Sequence, residues 1–114
     1  MAKDKSALSG NTTMLILKLL ESEDMYGYQI IDTLAQKSDN TFSLKTGTLY
    51  PILHKLENDG FVTSYDEQAD QARVRRYYKL TSKGKKHLLE RQSEWKSYRD
   101  AVNKIMEGGL CYAI

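Results

Sequence analysis

A chain of 114 residues with 40% hydrophobic and 28% charged side chains has the balance of one soluble globular domain with a modest core, not that of a disordered segment. No apolar run approaches the about 20 residues of a membrane helix, since the longest, MLILKLL at Met14–Leu20, is broken by Lys18. The beginning, MAKDKSALSG, lacks the apolar centre of a secretory signal, and Cys111 is the only cysteine, so an internal disulfide is excluded and a cytoplasmic location, away from membranes, is expected.

Net charge is only +2, but it is unevenly spread. Residues 1–44 carry four basic and six acidic side chains, residues 45–86 nine and five, and residues 87–114 four and four. A basic middle third on a near-neutral chain points to a local anion-binding surface.

In chain order, the first helix is predicted over about Thr12 to Glu21. Met14, Leu15, Ile16, Leu17, Leu19 and Leu20 leave only Lys18 polar among them, a density suited to packing on more than one side. A second helix spans about Tyr26 to Gln36 with the apolar stripe Tyr26, Ile30, Ile31 and Leu34; Gly27 at its start admits close approach of another backbone. The third runs from about Thr46 to Asp59, on the spacing of Leu49, Ile52, Leu53 and Leu56, and Gly60 ends it. The period then changes. FVTSY and RVRRYYKL are rich in β-branched and aromatic residues and predict a β-hairpin whose long, mobile tip is the polar piece Asp66–Ala72. Thr81 then caps a fourth helix from about Ser82 to Glu107, stopped by Gly108 and Gly109.

The fold class is mainly α with a small β-hairpin: a winged helix-turn-helix domain over residues 1–80, one long C-terminal dimerisation helix over 81–107 and a flexible tail at 108–114. In that plan the third helix reads a DNA groove and the hairpin is the wing. The only proline, Pro51, falls just past the first turn of the third helix, where it replaces or bends one backbone bond at small cost. Lys45, Thr46, Thr48 and Tyr50 form a polar cluster away from the apolar stripe, with His54 and Lys55 one turn on, and hydroxyls and amines of this kind suit phosphate and base edges. An ordinary helix start with N-cap threonines would look the same. Strand alternation puts Arg73, Arg75, Tyr77 and Lys79 on one face of the hairpin, and Val74, Arg76, Tyr78 and Leu80 on the other. Arg73 and Arg75 are the candidate wing contacts to DNA, and Arg76 is expected to pair with an acid near the core. The bland alternative is an edge strand blunted by charge.

DMYGYQIIDTLAQKS, then SLKTGTLYPILHKLENDGFVTS, then RRYYKLTSKGKK, resemble the PadR family of bacterial transcriptional regulators over about Met14 to Lys86. Gly-Thr-Leu-Tyr-Pro at 47–51 followed by Leu-x-x-Leu-Glu-x-x-Gly at 53–60 is the most specific piece. The resemblance implies a winged-helix homodimer that represses by binding a palindromic operator. It also implies that Tyr26, Gly27 and Tyr28 form the family's tyrosine-glycine motif, that Arg76, Tyr77, Tyr78 and Leu80 belong to the second wing strand, and that Thr81 and Gly84 open the C-terminal helix. Larger members carry a multi-helix C-terminal domain, and this chain, with room for one helix, is similar to the short subfamily.

The residues alone also suggest a dimer. Leu88, Trp95 and Val102 are seven apart, as are Arg91, Tyr98 and Ile105; Arg91 argues against a strict coiled coil, but the seam of Leu88, Trp95, Tyr98, Val102 and Ile105 is too apolar for water. Packing across a two-fold axis against Leu15 and Leu19 of the other copy's first helix is the expected arrangement. Trp95, with Tyr98, is a candidate seat for a planar aromatic effector, because some short PadR-like regulators line a central cavity with a tryptophan on this helix; filling the dimer core is the plainer role.

His54 and His87 lack the ligand spacing of a metal site, and no Gly-rich phosphate loop, nucleophile triad or paired carboxylate motif is present. No cofactor and no enzymatic activity are expected. Three functions remain: a repressor released by a small molecule, a small-molecule sensor whose ligand binding is primary, and a winged-helix protein-interaction module.

Overall fold

The computed structural model describes residues 2–108, and the side chains of 11–107. In chain order the elements are α1 (Ala2–Ser22), β1 (Met25–Tyr26), α2 (Gly27–Lys37), α3 (Thr46–Asn58), β2 (Val62–Gln68), β3 (Val74–Leu80) and α4 (Ser82–Gly108). The winged-helix plan holds, with three differences from the sequence expectation. Helix α1 begins at Ala2 instead of near Thr12. Tyr26 does not belong to the second helix but forms, with Met25, a two-residue strand that makes the hairpin a three-stranded antiparallel sheet in the order β1-β3-β2. Strand β2 continues to Gln68, so the expected long tip shortens to residues 69–73. That tip is clamped, because the Gln68 carboxamide donates to the carbonyls of Asp70 at 2.6 Å and Gln71 at 3.1 Å. The tail expected from residue 108, with Cys111, lies outside the described residues from 109 on.

The core is built from one face of each element. Ile16 and Leu17 of α1, Ile30 of α2, Leu49 and Leu53 of α3, Val62 and Tyr78 of the sheet and Leu88 of α4 are all fully buried. Each such aliphatic side chain contributes about 1.5–3 kcal/mol of transfer free energy. Leu88 belongs to this list, so the packed unit runs beyond Leu80 into the first turns of α4.

Two residues join the pieces as their chemistry requires. Gly60 sits at φ +81, a left-handed position that favours glycine. Phe61 N–H donates to the Leu56 carbonyl at 2.9 Å and Gly60 N–H to that of Glu57 at 3.0 Å, the paired bonds of a Schellman stop. The Thr81 hydroxyl donates to the Gly60 carbonyl at 2.7 Å and accepts from Gly84 N–H at 2.9 Å, tying the end of α3 to the start of α4. Among the described residues no helix is long and apolar enough to cross a membrane.

Candidate nucleic-acid interface

Helix α3 divides cleanly. Leu49, Leu53 and Leu56 face the core, while Gly47, Thr48, Pro51, His54 and Lys55 are exposed along the opposite stripe. Lys45 takes the N-cap position in extended conformation, with no side-chain cap hydrogen bond. The threonines therefore do not cap this helix, and the Lys45 carbonyl instead accepts from the N–H groups of Thr48 at 3.0 Å and Leu49 at 2.9 Å. Pro51 is the sixth helical residue and cannot donate to the Gly47 carbonyl one turn back. A Cβ on Gly47 would meet nothing within 4 Å, so this end of the helix is bare and open.

Tyr50 departs from the exposed cluster expected of it. It is half-buried, packs on the core, and its phenol lies against Gly27 at the start of α2. The close approach at Gly27 is thus made by a ring, not by another backbone. Lys55 is engaged locally by Asp59 at 3.3 Å.

The wing carries a row of tyrosines that the sequence alone did not bring together. Cross-strand register sets Tyr65 of β2 beside Tyr77 of β3, and Tyr77 beside Tyr26 of β1. The Tyr65 and Tyr77 rings lie 5.6 Å apart and nearly parallel, and Tyr26 meets Tyr77 edge-on at 5.4 Å. At one end, Tyr65 donates to the Asp24 carboxylate at 2.7 Å. That bond, above all, pushes the Tyr65 phenol up to about 12. At the other end, the Arg75 guanidinium lies over the Tyr26 ring, 4.4 Å from its centre. Arg76 pairs with Asp66 at 3.4 Å, which holds it above its ordinary value; both side chains are exposed, so the acid near the core expected for Arg76 is a cross-strand neighbour instead. Among the described residues neither Arg73 nor Arg75 has a carboxylate partner.

Between the start of α2, Tyr50 of α3 and strand β3 lies a cleft of about 620 Å³, lined among others by Tyr26, Tyr28, Tyr50, Arg73 and Arg75. Of the seven candidate DNA contacts, Tyr50, Arg73 and Arg75 meet at this cleft, while Thr48 and His54 lie on the exposed stripe of α3 and Lys45 and Thr46 at its start. Tyr26, Tyr28 and Arg76 also line it, although spacing gave no reason to group them.

The family model described as the transcriptional regulator PadR-like family matches residues 16–90. The chain belongs to the PadR-like family. A PadR-like transcription factor from Bacteroides fragilis is 32% identical, with a TM-score of 0.78 over 92% of this chain and 99% of that one. A transcriptional regulator from Clostridium thermocellum is 31% identical with a TM-score of 0.79, over 87% and 93%. The negative transcriptional regulator PadR of Bacillus subtilis is 32% identical over 64% of this chain, which spans 40% of that longer protein. This PadR-like chain is accordingly a DNA-binding transcriptional regulator and not an enzyme.

The PadR-like helix α4 leaves a second surface. Beyond Arg91 it projects from the core, with Trp95 40%, Tyr98 70% and Ile105 78% exposed and Val102 close beside them. Leu88 does not share that surface, being spent in its own core, and Leu19 is likewise buried; Leu15 is only half-buried. Heptad spacing placed Leu88 on the seam because it cannot tell which turns of a helix its own chain covers. A hollow of about 650 Å³ lies between α1 and α4, lined by Leu15, Phe42, Leu89, Trp95 and Arg99 among others. The Arg99 guanidinium stands 5.1 Å from the centre of the Trp95 ring.

Proposed function

We propose that this regulator is a homodimeric repressor that binds a palindromic operator and is released by a small-molecule effector. Each copy inserts α3 into a major groove through Lys45, Thr46, Thr48 and His54, while Tyr50 at the cleft and Arg73 and Arg75 of the wing meet the flanking backbone. The observation that carries this reading is the pairing of a bare, uncapped α3 mouth with the guanidinium groups of Arg73 and Arg75, which have no carboxylate partner among the described residues. Repression is supported by the Bacillus subtilis relative, a negative transcriptional regulator. The apolar length of α4 from Trp95 to Ile105 supports pairing of two copies, with Leu15 of α1 at the edge of the contact. Under this reading residues 1–80 read DNA, the projecting part of α4 dimerises, and the protein works in the cytoplasm beside its DNA. Sequencing duplexes selected by the protein from a random pool tests it. Two inverted half-sites about 10 base pairs apart, or a multiple of that, are expected; an asymmetric site or no enrichment contradicts it.

A second reading, in which ligand sensing is primary, is favoured by the hollow beside Trp95. Quenching of Trp95 fluorescence by planar aromatic compounds supports it, and no quenching across a broad panel removes it.

A further inference from the structure

We propose that the cleft walled by Tyr26, Tyr28, Tyr50, Arg73 and Arg75 is a preformed seat for a DNA backbone phosphate, and that the Tyr26 ring positions Arg75 to receive it. The inference rests on the DNA-binding reading of this face and adds residues that neither α3 nor the wing tip supplies.

The chemistry of the lining points to a phosphate. Three of its side chains are guanidinium groups, three are phenols, and none is a carboxylate. A guanidinium offers a planar fork that matches two phosphate oxygens, and phenol hydroxyls donate to a third. The charge there is available. Arg76 is already matched by Asp66 at 3.4 Å, whereas Arg73 and Arg75 have no acid partner among the described residues.

Arg75 is also restrained. Its guanidinium lies 4.4 Å from the centre of the Tyr26 ring, and Tyr26 is itself braced edge-on by Tyr77 at 5.4 Å. A long side chain held in one place before binding loses less freedom when the anion arrives. Tyr50 belongs to α3 and touches Gly27 of α2, so the cleft keeps a fixed position relative to the groove-reading helix. A phosphate seated there therefore sets the register of α3 along the duplex, as backbone contacts do.

The test uses the full chain and a duplex selected by the protein itself. Tyr26→Leu is expected to weaken binding by about two- to fivefold, the fold-change that a cation–π contact of this exposure supports. Tyr26→Phe, which keeps the ring, is expected to restore it. In an Arg75→Ala background the Tyr26→Leu effect should vanish, which a merely structural role for Tyr26 would not produce. Circular dichroism checks the fold. If Tyr26→Leu fails to fold, Arg75→Lys takes its place, keeping the charge while removing the fork, and is expected to weaken binding.

Neutral methylphosphonate linkages scanned along the duplex give a second readout. One linkage per half-site should weaken the wild type and leave Arg75→Ala indifferent. Full affinity in Tyr26→Leu, or in Arg75→Lys, with binding still lost in the Arg73→Ala/Arg75→Ala pair overturns the seat and leaves the DNA reading standing. A wild type with no salt-sensitive grip on any duplex overturns both. Broadening of the phosphorus resonance of inorganic phosphate that survives saturation with duplex marks a free-anion site and overturns the DNA source.

Discussion

The phenol of Tyr50 rests on Gly27, so that a Cβ at that glycine would stand 2.8 Å from the ring Cζ. The contact joins the starts of α2 and α3, and no residue larger than glycine fits without displacing the Tyr50 ring.

Replacing Gly27 by alanine should therefore overpack this crossing at a cost of about 1–3 kcal/mol in urea unfolding. Duplex affinity should fall as well, since the Tyr50 ring is displaced from the cleft. Adding Tyr50→Ala to the same chain removes the collision, and the two effects should be strongly non-additive. Simple additivity in the double-mutant cycle would show that the two residues do not meet.

Thr81 makes two hydrogen bonds through one hydroxyl, to Gly60 and from Gly84. Thr81→Ala should cost about 1 kcal/mol as a lost N-cap, with a further loss because the Gly60 carbonyl is left without that donor. Thr81→Ser keeps the hydroxyl and should recover most of it. Thermal melts of the three proteins decide the matter, and an alanine variant as stable as the wild type would contradict the capping role.

The bond from Tyr65 to Asp24 gives a pH signature. With the folded phenol pushed up to about 12, above the unfolded value of about 10, the stability it lends is whole below the unfolded value. It is lost as pH rises through about 12. Alkaline absorbance titration of the eight tyrosines should show late phenols from Tyr65 and from Tyr78, which burial pushes up; the Tyr65 step should be absent from Tyr65→Phe and moved earlier in Asp24→Asn. Identical curves for Asp24→Asn and the wild type would contradict the pairing.

Much of this molecule is legible along the chain because helices and their stops are local. The three- and four-residue spacing of Leu49, Leu53 and Leu56, the left-handed Gly60 and the Thr81 cap are each written within a few residues. Strand β1 was not legible, since two residues carry no alternation and Tyr26 continues the helical stripe of Ile30 and Leu34. The cleft was hidden for a different reason. Tyr26, Tyr50 and Arg75 are far apart in sequence, and only register and helix crossing bring them together. Leu88 shows the same limit from the other side: its spacing fits the projecting seam, yet it is fully buried in its own core.

The central claim, that the arginine wing and the α3 mouth grip a duplex together, is tested most directly by a salt titration of duplex binding. For a phosphate contact, the slope of log K against log salt changes by about 0.9. The wild type should show a steep slope, and Arg75→Ala should flatten it by about two, one contact from each half of a two-fold complex. An Arg75→Ala slope equal to that of the wild type would contradict the claim.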